Sequence, residues 1–409
     1  MPKILQKKWV YAFSLIGPLA FFSVYALWFP ILIIVLFNVP RLVTIIRTDR
    51  AASFSRYLPY FVLPALGALS AVWTLIPANA VITAAKFSGY FCVAILAGLI
   101  IRQATETERR KIVFSTAVGL LIAFPVVLLD VSLSGGGIWN LYKSYEFNPS
   151  AYNRGTAITA CLLFPLAFGL FRYAGPWRAV VFPLICLGVI FGLYMEAAKL
   201  AVVLGAIVFA LVRWQRKLFW PSVLVPLTIA LIFPVFFMTP STEQEQCRQH
   251  YMKDSAYHRI MIYQFSTSKI LEKPIAGWGM DSSRSIAGGE KRVVTITCND
   301  PVQNIPIKLN AGGNLPLHPH NAAIQIWLEL GLIGALCLAA TVLLLIRRIE
   351  RNSADNQGRA IVAATFCIVC LIYNISFGLW QSWLMFTMIL LGCFIMALQR
   401  GPEPSEEPQ

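Results

Sequence analysis

An all-α, polytopic membrane protein of about twelve transmembrane helices is the fold that the sequence predicts, and three observations predict it. Of 409 residues, 57% are hydrophobic and only 13% charged, where an average soluble domain is about a quarter charged. Mean hydropathy is correspondingly high, at +0.67. The apolar residues come in runs close to the roughly 20 needed to cross a hydrocarbon core of about 30 Å. The cations sit between those runs in the alternating pattern of inner and outer loops. Too few polar residues exist to coat a water-facing surface. That excludes a soluble enzyme, a disordered chain and, despite a formal net charge of +15, a nucleic-acid binder.

Ten spans are legible near 57–77, 84–102, 111–130, 156–172, 178–195, 198–213, 219–238, 322–346, 359–376 and 380–398. The 38-residue stretch 9–46 is one long helix or two. Lys3, Lys7 and Lys8 precede it, and Arg41, Arg47, Arg50 and Arg56 close it. Cationic flanks on both sides require an even number of crossings, so two spans are expected, 9–28 and 30–46, turning at Trp28-Phe29-Pro30. Both termini are then cytoplasmic, and 21 of the 34 Lys and Arg lie on the inner side. The basic balance thus reports topology and contact with membrane lipids, with no nucleic acid. No A-x-A site follows the first apolar run, so an uncleaved anchor is expected. The chain divides into a nine-helix part over 1–238, an outer loop over 239–321, a three-helix part over 322–398, and an acidic, Pro-rich tail over 399–409 expected to be disordered.

Two outer segments are long, 131–155 and 239–321. A loop of some 80 residues exceeds any simple connection and points to function. It carries nine Lys/Arg, seven Asp/Glu and all four histidines: His250, His258, His318 and His320. In "NLPLHPHNAAIQIWLELGLIG", Pro319 restricts its neighbour and cannot sit deep in a helix, so the tenth span starts just after it. His320 and Asn321 then stand at the outer mouth of that helix. Asn321, Gln325 and Glu329 follow at i, i+4, i+8, one polar stripe running inward. Glu329 is the one acid well inside an expected span, and such residues mark functional or paired sites. Upstream, "KDSAYHRIMIYQFSTSKILEKPIAGWGMDSSR" reads as a helix capped by Asp254 or Ser255 and stopped by Pro274. Ile260, Tyr263, Ile270 and Leu271 form its apolar face. Arg259 lies near its start, Gly277 and Gly279 allow a tight turn, and Arg284 follows.

Arg154, Lys199 and Lys86 are further cations on the outer side, against the topological bias. An arginine fork matches phosphate oxygens bidentately, a lysine does not. The alternative reading of these cations is snorkelling toward lipid headgroups. Of nine cysteines, seven lie in or at spans and read as small hydrophobes. Cys247 and Cys298 in the outer loop are a plausible disulfide if that compartment is oxidising. No zinc spacing, phosphate-cradling glycine motif or serine elbow is present.

The run "HPHNAAIQIWLELGLIG" resembles the signature of bacterial O-antigen ligases and the related O-antigen polymerases: a histidine before Asn at the mouth of a span carrying E-x-G-x-x-G. The block "HRIMIYQFSTSKILEKPIAGWGMDSSR" resembles that family's outer-loop helix with its Pro-x-x-Gly-x-Gly turn. The similarity is specific over about 250–340, weaker over 150–220, and only a hydropathy pattern over 1–130. Lys199 departs from it, standing where arginine is expected.

The resemblance implies a glycosyltransferase of GT-C type with a large periplasmic loop, embedded in the bacterial inner membrane. Its donor would be a glycan on undecaprenyl pyrophosphate and its acceptor a lipid A-core sugar, with no cofactor and no metal. In that reading His320 is the general base and Asn321 orients it. Arg154, Arg259 and Arg284, with Lys199, bind the pyrophosphate. His318 and Glu329 support the site; Glu329 is about 12 Å deeper than His320 at about 1.5 Å per residue, too far for a direct partner. Polymerase activity on the same carrier is the first alternative, and a protein O-oligosaccharyltransferase the second. A transporter or flippase is the reading from a different class. It would carry ionisable groups near the midplane and inverted repeats, whereas here they crowd the outer mouth.

Overall fold

The computed structural model describes residues 8–48, 56–132, 136–142, 147–239, 254–290, 293–299, 306–351 and 355–399. The chain is overwhelmingly helical. In order come α1 (Trp9–Phe22), α2 (Val24–Phe37), α3 (Val39–Thr48), α4 (Leu58–Val72), α5 (Pro77–Arg102), α6 (Glu106–Ser132), α7 (Gly137–Tyr142), α8 (Pro149–Ala174), α9 (Pro176–Gly192), α10 (Glu196–Trp214) and α11 (Arg216–Phe237). Then follow α12 (Asp254–Glu272), strands β1 (Val293–Asn299) and β2 (Pro306–Gly312), α13 (Ala322–Arg351), α14 (Asn356–Ile375) and α15 (Ser382–Leu398).

Among the described residues, seven helices (α5, α6, α8, α10, α11, α13, α14) are long and apolar enough to cross a membrane. The pair α2 and α3, bent by 64°, is a candidate eighth. The helices α1, α4, α9 and α15 are apolar but shorter. This is a multi-pass membrane protein, and its many exposed leucines, valines and isoleucines face the lipid that replaces water as solvent.

The outer loop of this all-helical bundle carries one small addition: β1 and β2 pair antiparallel, with Val293 opposite Gly312 and Asn299 opposite Pro306. "VVTITCN" is rich in the β-branched residues that suit a pleated surface. The turn expected at Trp28-Phe29-Pro30 is absent. The chain breaks instead at Ser23 (φ −151, ψ 58) and again at Asn38. Pro30 is only the third residue of the α-helical stretch Trp28–Phe37, where a missing N–H has no intrahelical partner to lose. Asn38 turns its side chain back to donate to Ile34 O at 2.8 Å, and Pro40 follows it. The span expected from residue 84 begins at Pro77, which places Lys86 within the helix. The expected disulfide partner Cys247 and residues 240–253 lie outside the described residues, as does the side chain of Cys298.

The bundle has two ends that can be told apart. At one, the Arg109 side chain donates to the carbonyls of Arg102 and Ala104 after α5 and of Met396, Ala397 and Gln399 at the end of α15. These are the orphan acceptors that every helix C-terminus leaves. Arg172, at the end of α8, bonds Leu398 O and Glu106 there. The opposite end holds His320. Helix α10 runs antiparallel to α14, with Asn356 bonded to Val212 O and Arg213 O and Gly205 backed onto Ile368. Lys199 and Arg154, at the starts of α10 and α8, therefore lie at the His320 end.

Helix α13 is broken at Gly331 (φ 61, ψ −159). In an unbroken helix, Leu332 and Ile333 N–H would donate to Leu328 and Glu329 O. Here they donate to Pro274 O (2.9 Å) and Ile275 O (3.2 Å). Leu328 O and Glu329 O accept instead from Trp278 N–H (2.9 Å) and Gly279 N–H (2.7 Å). The turn after α12 thus takes over each bond that the break removes, as backbone polar groups inside a bilayer require. The approach is too close for side chains. A Cβ at Gly331 would stand 2.3 Å from Ile275 O, and one at Gly277 2.5 Å from Glu329 O, both at positive φ. The two glycine-bearing motifs are complementary halves of one junction.

Gly331→Ala should therefore destabilise the fold by more than the about 1–3 kcal/mol of a strained backbone residue, since a backbone clash is added. Gly188→Ala, where nothing lies within 4 Å, should be neutral. Thermal unfolding of both variants in detergent checks this; equal melting temperatures would contradict it.

Candidate functional site

The site is assembled where α13 begins. Asn321 precedes it as the N-cap: its Oδ1 accepts from Ile324 N–H at 2.9 Å, satisfying one of the helix's free donors. Its Nδ2 donates to Asn374 O at 2.7 Å. Asn374 returns the contact, its Oδ1 accepting from Ala323 N–H at 3.0 Å. The polar stripe is a continuous ladder. Gln325 Nε2 donates to Glu329 Oε1 at 3.0 Å, while Gln325 Oε1 accepts from Leu379 N–H at 2.7 Å. Glu329 is fully buried and accepts three further bonds: from Ser283 Oγ (2.5 Å), Asp281 N–H (2.5 Å) and Trp380 Nε1–H (2.6 Å). A carboxylate gathering donors from three chain segments ties α13, the turn after α12 and the 376–381 turn into one body.

His320 sits one residue ahead of that cap with φ 56. Asp281, at φ 57, is the other non-glycine residue in the left-handed region among the described residues. Strain of this kind gathers at functional sites. The His320 Nδ1 lies 3.2 Å from Ser376 O. A carbonyl can only accept, so the Nδ1 carries the proton and Nε2 keeps a free lone pair. Burial lowers the His320 pKa; the bond to Ser376 O opposes this, and the charges of Arg259 and His258 add to the lowering. The ring is therefore neutral near pH 7, the form a base needs.

His318 is held down to about 3, by burial first and then by His320 and Arg284. Its ring centroid is 4.4 Å from that of His320, and its Nδ1 accepts from the His320 N–H at 3.1 Å. His258 Nε2–H donates to Gly313 O at 3.0 Å. Burial raises the pKa of Tyr263 on α12, opposed by Arg259 and a hydrogen bond with Asn321.

The four cations that the sequence singles out divide into two kinds. Arg284 is paired with Asp281 (3.2 Å), whose other oxygen accepts from Thr83 Oγ1 at 3.1 Å. Lys199 is paired with Glu196 at 3.2 Å. Arg259 and Arg154 form no ion pair among the described residues; Arg154 lies over the exposed Tyr25 ring at 5.2 Å. Arg259 acts on His320 and Arg284 on His318, so these two belong to the histidine cluster. Arg154 and Lys199 share its end of the bundle; among the described residues neither forms a hydrogen bond or ion pair with it.

The arrangement joins a neutral imidazole with a free lone pair to unpaired guanidinium groups at one end of a membrane bundle. That is the equipment for handling an anionic, lipid-borne substrate. Residues 181–339 match the family model described as O-Antigen ligase. The chain is similar to three proteins named "Putative polysaccharide ligase". It is 26% identical to that of Rickettsia conorii, covering 77% of this chain and 73% of the relative. For Rickettsia typhi the identity is 26%, covering 81% and 77%. For Rickettsia bellii it is 29%, covering 67% and 63%.

Reasoning from sequence missed the partners contributed by 374–383: Asn374, Ser376, Leu379, Trp380 and Gln381. The polar residues of "YNISFGLWQSW" were a usable signal, because a short connection between two apolar helices has no other need of Asn, Ser and Gln. Asp281 and Ser283 were missed as well, and nothing in their local sequence marks them.

Proposed function

We propose that the protein transfers a glycan from undecaprenyl pyrophosphate to a sugar hydroxyl of lipid A-core, at the periplasmic face of the bacterial inner membrane. The observation that carries this reading is the His320 ring, held by Ser376 O with its Nε2 lone pair free and Arg259 acting on it. The acceptor hydroxyl gives its proton to Nε2 as its oxygen bonds to the anomeric carbon. The glycosidic C–O bond to phosphate breaks, and its electron pair leaves with the pyrophosphate. Arg259 and Arg154 bind that leaving group as its charge grows, the point at which fixed charges act most strongly. Attack opposite the leaving group inverts the anomeric centre. Arg284 and Lys199, each already paired with a carboxylate, act as secondary cations. In this reading the bundle is a GT-C-type glycosyltransferase of twelve crossings, counting the bent pair once and the four shorter helices as spans. It needs no metal.

Deletion of the gene followed by lipopolysaccharide gel analysis tests this. Loss of all glycan from the core is the expected result. A single-repeat band would instead assign the protein to the polymerases of the same family, and an unchanged ladder would remove the reading. Transfer from purified lipid-linked glycan to core acceptor should also continue in a chelator.

A further inference from the structure

The turn between α14 and α15 lies beyond the family-matched region, yet it meets both the histidines and the polar stripe of α13. Ser376 O receives the His320 Nδ1–H, Leu379 N–H reaches Gln325, and Trp380 reaches Glu329. Gly378 backs onto His318, where a Cβ would stand 2.7 Å from the ring. Gln381 Nε2 stands 2.9 Å from His318 Nε2, and Gln381 Oε1 accepts from Trp383 Nε1–H at 3.0 Å. We propose that Gln381 is a positioning residue for His320, acting through the His318 ring; this rests on the reading of His320 as the base.

The argument begins at the His320 backbone. Its left-handed conformation is unfavourable for a residue with a side chain, and the bond from its N–H to His318 Nδ1 holds it there. A main-chain N–H is always a donor, so His318 Nδ1 must present a lone pair. A neutral ring then carries its single proton on Nε2, facing Gln381. The oxygen and nitrogen of a carboxamide are interchangeable in shape, and the network assigns them. Interchanged, the amide oxygen of Gln381 meets His318 Nε2–H and holds that ring with Nδ1 turned to His320; as placed it meets Trp383 Nε1–H instead, so the orientation of the Gln381 amide governs the His318 ring. A cationic His318 would set an N–H against the His320 N–H, so the brace works only while the ring is neutral. Burial and the charges of His320 and Arg284 keep it so, with Arg284 itself paired to Asp281.

Two substitutions separate this from a merely structural role. Gln381→Leu keeps the volume and removes the acceptor. It should lower kcat by about 10²-fold, the effect of a misplacement of about 1 Å, with KM unchanged. Gln381→Glu offers one oxygen to each donor and holds the ring, but a carboxylate there favours the His318 cation. Its turnover should match wild type at alkaline pH and fall on the acid side, where wild type still works. The experiment is a set of pH–rate profiles for wild type, both Gln381 variants and His320→Ala, in the lipid-linked glycan transfer assay. Imidazole 15N spectra without substrate report the His320 tautomer beside it. The expected result is Nε2 unprotonated in wild type, a Leu variant slow at every pH and an acid-sensitive Glu variant. The Glu variant's activity at high pH shows that the fold tolerates change at 381. A Leu variant with wild-type kcat and pH profile, where His320→Ala is inactive, overturns the role of Gln381 alone. A Glu variant as slow as Leu at every pH does the same. An active His320→Ala overturns the reading of the site with it.

Discussion

His320→Ala is expected to lose about 10²–10⁴-fold in turnover, the usual worth of a positioned general base, while membrane level and melting temperature stay near wild type. The size follows from the geometry. The carbonyl of Ser376 fixes the proton on Nδ1, and the free Nε2 is the atom that alanine removes. Asn321 caps α13 without help from the His320 side chain, so the helix start should survive. The pH dependence has a definite sign. The pKa of His320 is lowered from 6.5, and only the neutral ring accepts a proton. Turnover should hold below pH 6.5, where a free histidine is already charged, and fall as pH drops through the lowered value. The same shift makes the fold lose stability in acid, because protons bind the unfolded chain more readily than the native one. His318→Ala should fall between His320→Ala and wild type, since it removes the bond to the His320 N–H but not the base. Turnover of purified variants at matched protein level, measured from pH 5 to 9, is the check. Wild-type turnover by His320→Ala would end the assignment of the base.

The helices were legible because their causes are local. Asp254–Glu272 stops where the sequence puts it, since Pro274 cannot continue a helix. His320 was legible at the mouth of α13 for the same reason: Pro319 denies the helix an earlier start. What was not legible depends on partners far away in the chain. The i, i+4 spacing aligns Asn321, Gln325 and Glu329, but their partners Asn374, Leu379 and Trp380 come from a turn some 50 residues later. The break at Gly331 could not be read as a break. Its hydrophobic pattern runs on unbroken, and the bonds that make it tolerable belong to Pro274, Ile275, Trp278 and Gly279. The hairpin is not legible because a short alternation such as "VVTITCN" carries little weight in a loop rich in cations and histidines. The shift of the first turn from Pro30 to Ser23 has a local cause: Pro30 falls in the first turn of the α-helical stretch Trp28–Phe37, where it does not stop a helix.

Arg259→Ala carries the second large effect, an expected loss of about 10²–10³-fold, the range for removing one charge-stabilising donor at a reacting centre. The structure ranks the four cations in a way their residue types do not. Arg284 and Lys199 each face a carboxylate three residues away. Arg259 and Arg154 have no ion-pair partner among the described residues, and the Arg259 charge adds to the lowering of the His320 pKa. An unpaired cation near the reacting atoms has all its charge to give to a leaving pyrophosphate, whereas a paired one must first share it. Arg259→Ala should therefore cost most and Arg154→Ala next. Arg284→Ala and Lys199→Ala should cost less, close to the about 0–1 kcal/mol of a surface ion pair. Arg259→Lys should recover only part of the loss, because lysine keeps the charge but not the planar fork that grips two oxygens at once. The effect should fall on kcat more than on KM, since the charge on the leaving group grows in the transition state. Steady-state kinetics of the four alanine variants and Arg259→Lys, at one protein level, decide the ranking. Equal losses at all four positions, or full activity with lysine at 259, would mean that charge at this end of the bundle acts in bulk and not through a bidentate grip on the pyrophosphate.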